Sequence, residues 1–225
     1  MKREILEQLV RDRAAKRAVV LATRLSDGIE KCLYPDETSD KDALLQAASE
    51  VLSTDKARLF QAGDGEWFLN GFNPPLRLII VGAVHIAQPL ARFGTLAGYD
   101  VSVIDPRTAF ATPDRFPDIR LLTDWPDEAM AALQPDTRTA IVTLTHDPKL
   151  DDPALIAALR SPCFYIGALG SRKTHAARLA RLTAAGFSAD ELTRIHGPAG
   201  LAIGARSPAE IALSIMAQMT ESLRT

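Results

Sequence analysis

Beyond residue 75 the chain alternates two kinds of pattern. Short apolar runs predict strands at 76–81, 100–104, 119–122, 138–143 and 163–167. Between them, apolar residues recurring every three or four positions predict helices at 86–97, 126–133, 152–160, 171–185 and 208–222. Strands spaced by helices imply an α/β fold, a Rossmann-like parallel sheet with helices on both faces. The last helix has the clearest start: Ser207 as cap, Pro208 in the first helical position and Glu210 three residues after the cap.

The pattern before residue 73 is different and predicts a small α+β domain. Helical spacing covers 3–17 through Ile5, Leu6, Leu9 and Val10. A β-branched run at 18–23 ends in a turn at Ser26-Asp27-Gly28. A second helix is predicted at 41–52, with Ser39 or Asp40 as its cap. Segments 57–61 and 66–69 then flank Gly63-Asp64-Gly65 as a hairpin. The paired prolines of Asn73-Pro74-Pro75 fit neither a helix interior nor a central strand, so domains are expected at 1–72 and 76–225. A first domain of this size has a marginal core of its own. It is expected to lean on the second domain or on a partner copy, and a homodimer is one arrangement that supplies this.

Composition narrows the function classes. A formal net charge of −2 on 225 residues favours neither nucleic acid nor membrane surfaces as partners. No apolar run reaches the ~20 residues of a membrane span. The start M-K-R-E-I-L-E-Q-L-V lacks a signal-peptide apolar region, and the two cysteines, Cys32 and Cys163, have no C-x-x-C spacing. A reduced, cytoplasmic protein is the expectation. Cys163 is predicted to open an apolar strand as a buried thiol; Cys32 lies near a turn.

Candidate chemistry lies where strands end, because parallel sheets bind ligands beyond their carboxyl edges. After the first run comes Gly82-Ala83-Val84-His85, an incomplete G-x-G-x-x-G/A turn with Val84 in the middle glycine position. It is either an anion turn or a packing turn. Asp105-Pro106-Arg107 follows the second strand, with Asp105 spaced to hold a ribose hydroxyl and Arg107 to meet a phosphate; a solvated ion pair is the alternative. After the fourth strand, His146 is placed to bind a ligand or shuttle a proton with Asp147 orienting it, unless Asp147 merely caps the helix after Pro148.

Gly167-Ala168-Leu169-Gly170-Ser171-Arg172-Lys173 is the strongest anion signal. Two cations in a first helical turn oppose the helix dipole, and a bound anion reverses that penalty. The alternative is that Arg172 and Lys173 simply face solvent. His196 and Gly200 belong to a glycine-rich loop before the last helix. Metal binding by His85, His146 and His196 is disfavoured, since no close ligand pair is visible, and His175 reads as ordinary surface.

Four segments, V-G-A-V-H-I-A-Q-P-L-A, L-T-H-D, Y-I-G-A-L-G-S-R-K and H-G-P-A-G-L-A-I-G-A-R-S-P-A-E-I-A-L-S-I, together resemble the XdhC/CoxI family, accessory proteins of xanthine dehydrogenase and related molybdenum hydroxylases. The similarity covers roughly 76–222 and extends weakly into 18–27 and 63–69. The resemblance implies a Rossmann domain behind a smaller N-terminal one. It also implies binding of the molybdenum cofactor (molybdopterin), its protection during sulfuration, and its transfer to an apo-hydroxylase of the xanthine or CO dehydrogenase type. A cysteine desulfurase and that apo-enzyme are the implied partners. The chain departs from the family pattern at Val84 and in a shorter N-terminal domain, where Cys32 is the only counterpart of a G-G-C-type segment. The resemblance implies a non-catalytic chaperone rather than an enzyme. An NAD(P)-binding oxidoreductase, suggested by Gly82 and Asp105, is the main alternative, and a purely regulatory partner of a hydroxylase is another.

Overall fold

The computed structural model describes residues 2–35 and 42–224. The chain forms two compact units, one up to Pro74 and one from Pro75 onward.

The first unit comprises α1 (Arg3–Ala14), β1 (Val19–Arg24), β2 (Glu30–Leu33), α2 (Ala43–Thr54), β3 (Arg58–Ala62) and β4 (Gly65–Phe72). Its four strands form an antiparallel sheet in the order β2-β1-β4-β3. Alternation decides which side chains meet which helix. Val20, Ala22, Trp67 and Leu69 point to Ala47, Ala48 and Val51 of α2, whereas Val19 and Leu21 meet Leu9 of α1. The proposed caps Ser39 and Asp40 lie outside the described residues; Asp42 caps α2 by accepting from the Leu44 amide at 2.9 Å. The hairpin turns on Gly63-Asp64, since Ala62 already pairs with Gly65. Asp64 accepts from Trp67 Nε1 and Arg24, which fixes the turn.

The second unit comprises β5 (Arg77–Val81), α3 (Ala87–Leu96), β6 (Asp100–Ile104), β7 (Arg120–Leu122), α4 (Pro126–Leu133), β8 (Thr139–Thr143), α5 (Pro148–Leu159), β9 (Tyr165–Ala168), α6 (Arg172–Ala184), α7 (Ala189–Leu192), β10 (Ile195–His196) and α8 (Pro208–Arg224). Six parallel strands run in the order β10-β9-β8-β5-β6-β7. That is the 3-2-1-4-5-6 arrangement of a doubly wound sheet, whose order reverses between β5 and β8. Helices cover both faces. Leu78 and Ile80 of β5 pack with Leu90 of α3 and Ile215 and Met219 of α8. Ile79 and Val81 pack on the other side with Met130 of α4 and Leu155 of α5. Strands buried on both faces carry no polar alternation, which is why they read as unbroken apolar runs.

Two elements depart from the predicted pattern in ways that matter for the site. Helix α5 begins at Pro148 rather than 152 and carries Pro153 inside it. Pro148 suits the first helical position, while Pro153 forgoes one bond to the carbonyl four residues earlier. Strand β10 is only two residues long, added to β9 through Ile195↔Ile166 and His196↔Gly167. Cys163 precedes β9 rather than opening it, and is buried.

Candidate functional site

The carboxyl edge of the sheet is stitched by one hydrogen bond from each turn to its neighbour. The Gly82 amide donates to Ile104 O, Leu144 to Val81 O, Leu169 to Thr143 O and Ala199 to Ala168 O, all at 2.8–3.1 Å. The turns after five strands are thereby brought to one level. Gly82 has φ +105, and a Cβ there would stand 2.4 Å from Thr145 Cγ2. Glycine is required at this point because the β5 and β8 turns touch.

Asp105 is not available to a ribose. It is 1% exposed, and its carboxylate accepts from Ala83 N (2.8 Å), Arg107 N (3.0 Å), Arg107 Nε (2.9 Å) and Arg107 Nη2 (2.8 Å). Those bonds fill the ~4 acceptor positions of a carboxylate. Burial pushes its pKa up, but the Arg107 guanidinium and the amides of Ala83 and Arg107 outweigh burial and hold it below the ordinary range. The sequence pattern offered Asp105 to a ligand; the structure gives it to the protein's own turns. Arg107 lies 4.6 Å over the Phe110 ring, half-buried, with Asp147 and Asp151 within electrostatic reach.

The β8 turn is organised by a residue that the sequence did not single out. Asp151 of α5, 1% exposed, accepts from Thr145 Oγ1 (2.6 Å), Thr145 N (3.3 Å) and His146 N (3.0 Å). Desolvation dominates its environment and raises its pKa, although the Thr145 hydrogen bonds and Arg178 act the other way. His146 has φ +61, a left-handed conformation uncommon for a residue with a side chain. Its exposed ring reaches the β9 turn: a Cβ on Gly170 would lie 3.6 Å from His146 Nδ1. Asp147 accepts from the Lys149 amide at 2.9 Å and caps α5, so the capping reading holds.

The β9 turn carries its glycines for two reasons. A Cβ at Gly167 would meet the Tyr165 ring at 2.7 Å, and Gly170 has φ +147 with Thr174 3.1 Å from where its Cβ would be. Ser171 caps α6 through the Thr174 amide, and Arg172 and Lys173 stand exposed in a first turn that holds no acidic residue. Beneath them Arg178, also 1% exposed, donates from Nη2 to Leu169 O at 2.8 Å and lies 3.7 Å from Asp151. A buried arginine seven residues into a helix gives no warning in sequence, since the pattern reads it as surface.

The remaining candidates sit elsewhere. His85 is exposed and lines a cleft of about 540 Å³ with Gln88, Arg92, Phe93, Ser207 and Pro208. Neither His146 nor Gly170 lines that cleft. His196 stacks on Tyr165 with ring centroids 4.8 Å apart, and burial lowers its pKa. Gly200 packs against α8: its amide donates to Gln218 Oε1 at 2.8 Å, and a Cβ would stand 2.3 Å from Ser214 Oγ. His175 is not ordinary surface. Its Nδ1 is buried, and a Cβ on Gly197 would overlap its ring. Burial and the adjacent Asp12 push the Cys32 thiol up, so the protonated form is favoured. Burial likewise raises Cys163. Among the described residues, no three His, Cys, Asp or Glu side chains group as metal ligands, and no helix is long and apolar enough to cross a membrane.

Known proteins resemble this chain in sequence and in fold. The molybdenum cofactor insertion chaperone PaoD of Escherichia coli (strain K12) is 37% identical over 157 residues, covering 68% of this chain and 43% of that protein. A probable xanthine dehydrogenase component of Bacillus subtilis (strain 168) is 31% identical over 182 residues, 80% of this chain and 53% of that one. The chain thus spans about half the length of these curated relatives. A solved structure described as a xanthine dehydrogenase from Bacillus halodurans superposes with a TM-score of 0.70 at 23% identity, over 99% of this chain and 64% of its own, a likeness of fold. The family described as the XdhC Rossmann domain matches residues 78–219, which confirms the resemblance carried by the four motifs. With its strand order, its glycine turn at the switch point and this match, the chain belongs to the XdhC family.

Proposed function

We propose that this protein binds the molybdenum cofactor at the β8 and β9 turns and supports its sulfuration and insertion into an apo-hydroxylase of the xanthine or CO dehydrogenase type. The observation that carries this reading is the meeting of His146 with Gly170 directly before a helix whose first turn holds only cations. The residues fit an anionic pterin. The first amides of α6 with Arg172 and Lys173 would hold its phosphate, since helix N-termini leave amide donors open and favour negative charge. With no side chain on Gly170, its backbone and the exposed His146 imidazole stand side by side, and both offer polar contacts to a ring. When bound, the cofactor supplies the redox-active metal dithiolene; the protein holds, orients and shields it. The names of the curated relatives support a role in molybdenum cofactor maturation. The partners that this reading calls for are the apo-hydroxylase and a cysteine desulfurase, and a cytoplasmic homodimer is the form expected to meet them.

Titration of the purified protein with molybdopterin tests the reading, alongside mass spectrometry of small molecules released from natively purified material. Binding that weakens at least tenfold in Arg172→Ala/Lys173→Ala is expected; no uptake by the unsubstituted protein overturns it. A thermal-shift screen with NAD and NADP addresses the competing oxidoreductase. The filled carboxylate of Asp105 and the branched side chain of Val84 count against a nicotinamide dinucleotide, so no stabilisation is expected from either.

A further inference from the structure

Asp151 and Arg178 form a buried pair that stability alone does not explain. Each is 1% exposed. Their closest approach is 3.7 Å, and Arg178 Nε and Nη1 are buried with no hydrogen-bond partner. Burying a guanidinium with two unsatisfied donors is costly, and apolar residues of similar size often do as well or better. What the pair does possess is a position. Asp151 takes the amides of Thr145 and His146 in the β8 turn, and Arg178 takes the carbonyl of Leu169 in the β9 turn. Two side chains from α5 and α6 therefore join the two turns from below. His146 follows immediately with its left-handed backbone, and Gly170 follows Leu169. A residue keeps such a conformation only where its surroundings over-determine it.

We infer that Asp151 and Arg178 are positioning residues, which hold His146 against the Gly170–Ser171 turn and so set the geometry in which these turns take an anionic ligand. This deepens the reading above and rests on it for the identity of the ligand. Neither residue touches that ligand. Asp151 acts through the His146 backbone, and Arg178 acts through Leu169.

The test uses the full chain and two independent readouts. The first is the dissociation constant for molybdopterin in Asp151→Asn, His146→Ala and the double variant. Asp151→Asn is expected to weaken binding at least tenfold, and the double variant to bind no worse than His146→Ala alone, because one acts through the other. The second is the imidazole NMR resonances of His146 in the ligand-free protein, which shift in Asp151→Asn while those of His85 stay. Leu155→Ala, in the buried core face of the same helix, lowers Tm and leaves the His146 resonances in place. Should Asp151→Asn not fold, Asp151→Asn/Arg178→Met removes both charges at similar volume and carries the same expectations. Losses that add in the double variant, or unmoved His146 resonances in a folded Asp151 variant, overturn the inference. If the unsubstituted protein takes up no molybdopterin, the proposed function falls, and the resonances alone decide the positioning role.

Discussion

Two buried aspartates stand at turns on either side of the β5 turn and live by opposite rules. Asp105, after β6, accepts four hydrogen bonds, three of them from Arg107, and is held below the ordinary carboxylate range. Asp151, beneath the β8 turn, has its arginine at 3.7 Å and is raised by desolvation. Each is 1% exposed, but Asp151 lies deeper in the protein, and the two also differ in how an arginine meets them. A guanidinium that forks onto both carboxylate oxygens compensates for lost water; one bonded mainly to a carbonyl does not. The lesson is that Asp105 stabilises its turn, whereas Asp151 shapes its turn at the expense of stability.

The most damaging way to probe this contrast is at the β5 turn, which lies between the two and touches the β8 turn above Asp151. Gly82→Ala places a methyl 2.4 Å from Thr145 Cγ2 at φ +105 and should cost about 3 kcal/mol in urea unfolding. Adding Thr145→Ser, which deletes that methyl and keeps the hydroxyl on Asp151, should recover part of the loss. No recovery would mean that backbone strain, rather than the contact, sets the cost.

Arg107→Ala leaves Asp105 buried without its guanidinium. Breaking a buried pair from one side costs about 3–5 kcal/mol, and the partly exposed Arg107 puts this case at the lower end. A urea midpoint within error of the parent would remove the distinction between the two aspartates.

Acid separates them by sign. For Asp105 the folded pKa lies below the ordinary 3.8, so its stabilisation is present above that value and lost as pH falls through the folded pKa. For Asp151 the folded pKa lies above 3.8, so the folded state holds the proton longer and stability declines as pH rises through that raised value. Unfolding free energy followed from about pH 3 to pH 6 should therefore lose part of its acid decline in Asp105→Asn. In Asp151→Asn the acid decline should steepen. Matching slopes for both variants would refute the contrast.

The smallest expected effect lies at α6. Lys173→Ala removes a cation from an N-terminal turn and should raise stability by about 0.3 kcal/mol while weakening anion binding. A loss of both would indicate that Lys173 holds structure.

Much of the fold was legible because its core strands are buried on both faces and its helices on one. Runs such as Arg77–Val81 and the Ser207-Pro208-Ala209-Glu210 start of α8 follow from local rules, and Glu210 does accept from the Arg206 and Ser207 amides. The turns after β5, β8 and β9 were likewise readable as places where polar residues follow apolar ones. What escaped were elements too short to have a period, such as β10 and α7, and side chains whose partner is remote in sequence. Asp105 and Arg107 were recognised as chemistry, but their mutual capture was only one of two readings. Arg178 escaped altogether, being one arginine among several on a polar helix.

Sequence alone determined the succession of the longer strands and helices, the glycine turn after β5 and the cationic start of α6, because each depends on neighbours within a few residues. Tertiary structure alone decided that His146 meets Gly170, that Asp105 is filled from within and that Asp151 and Arg178 lie buried beneath both turns. Those facts depend on which strands lie side by side, and hydrogen-bond partners across a sheet are chosen by packing, which no local pattern records.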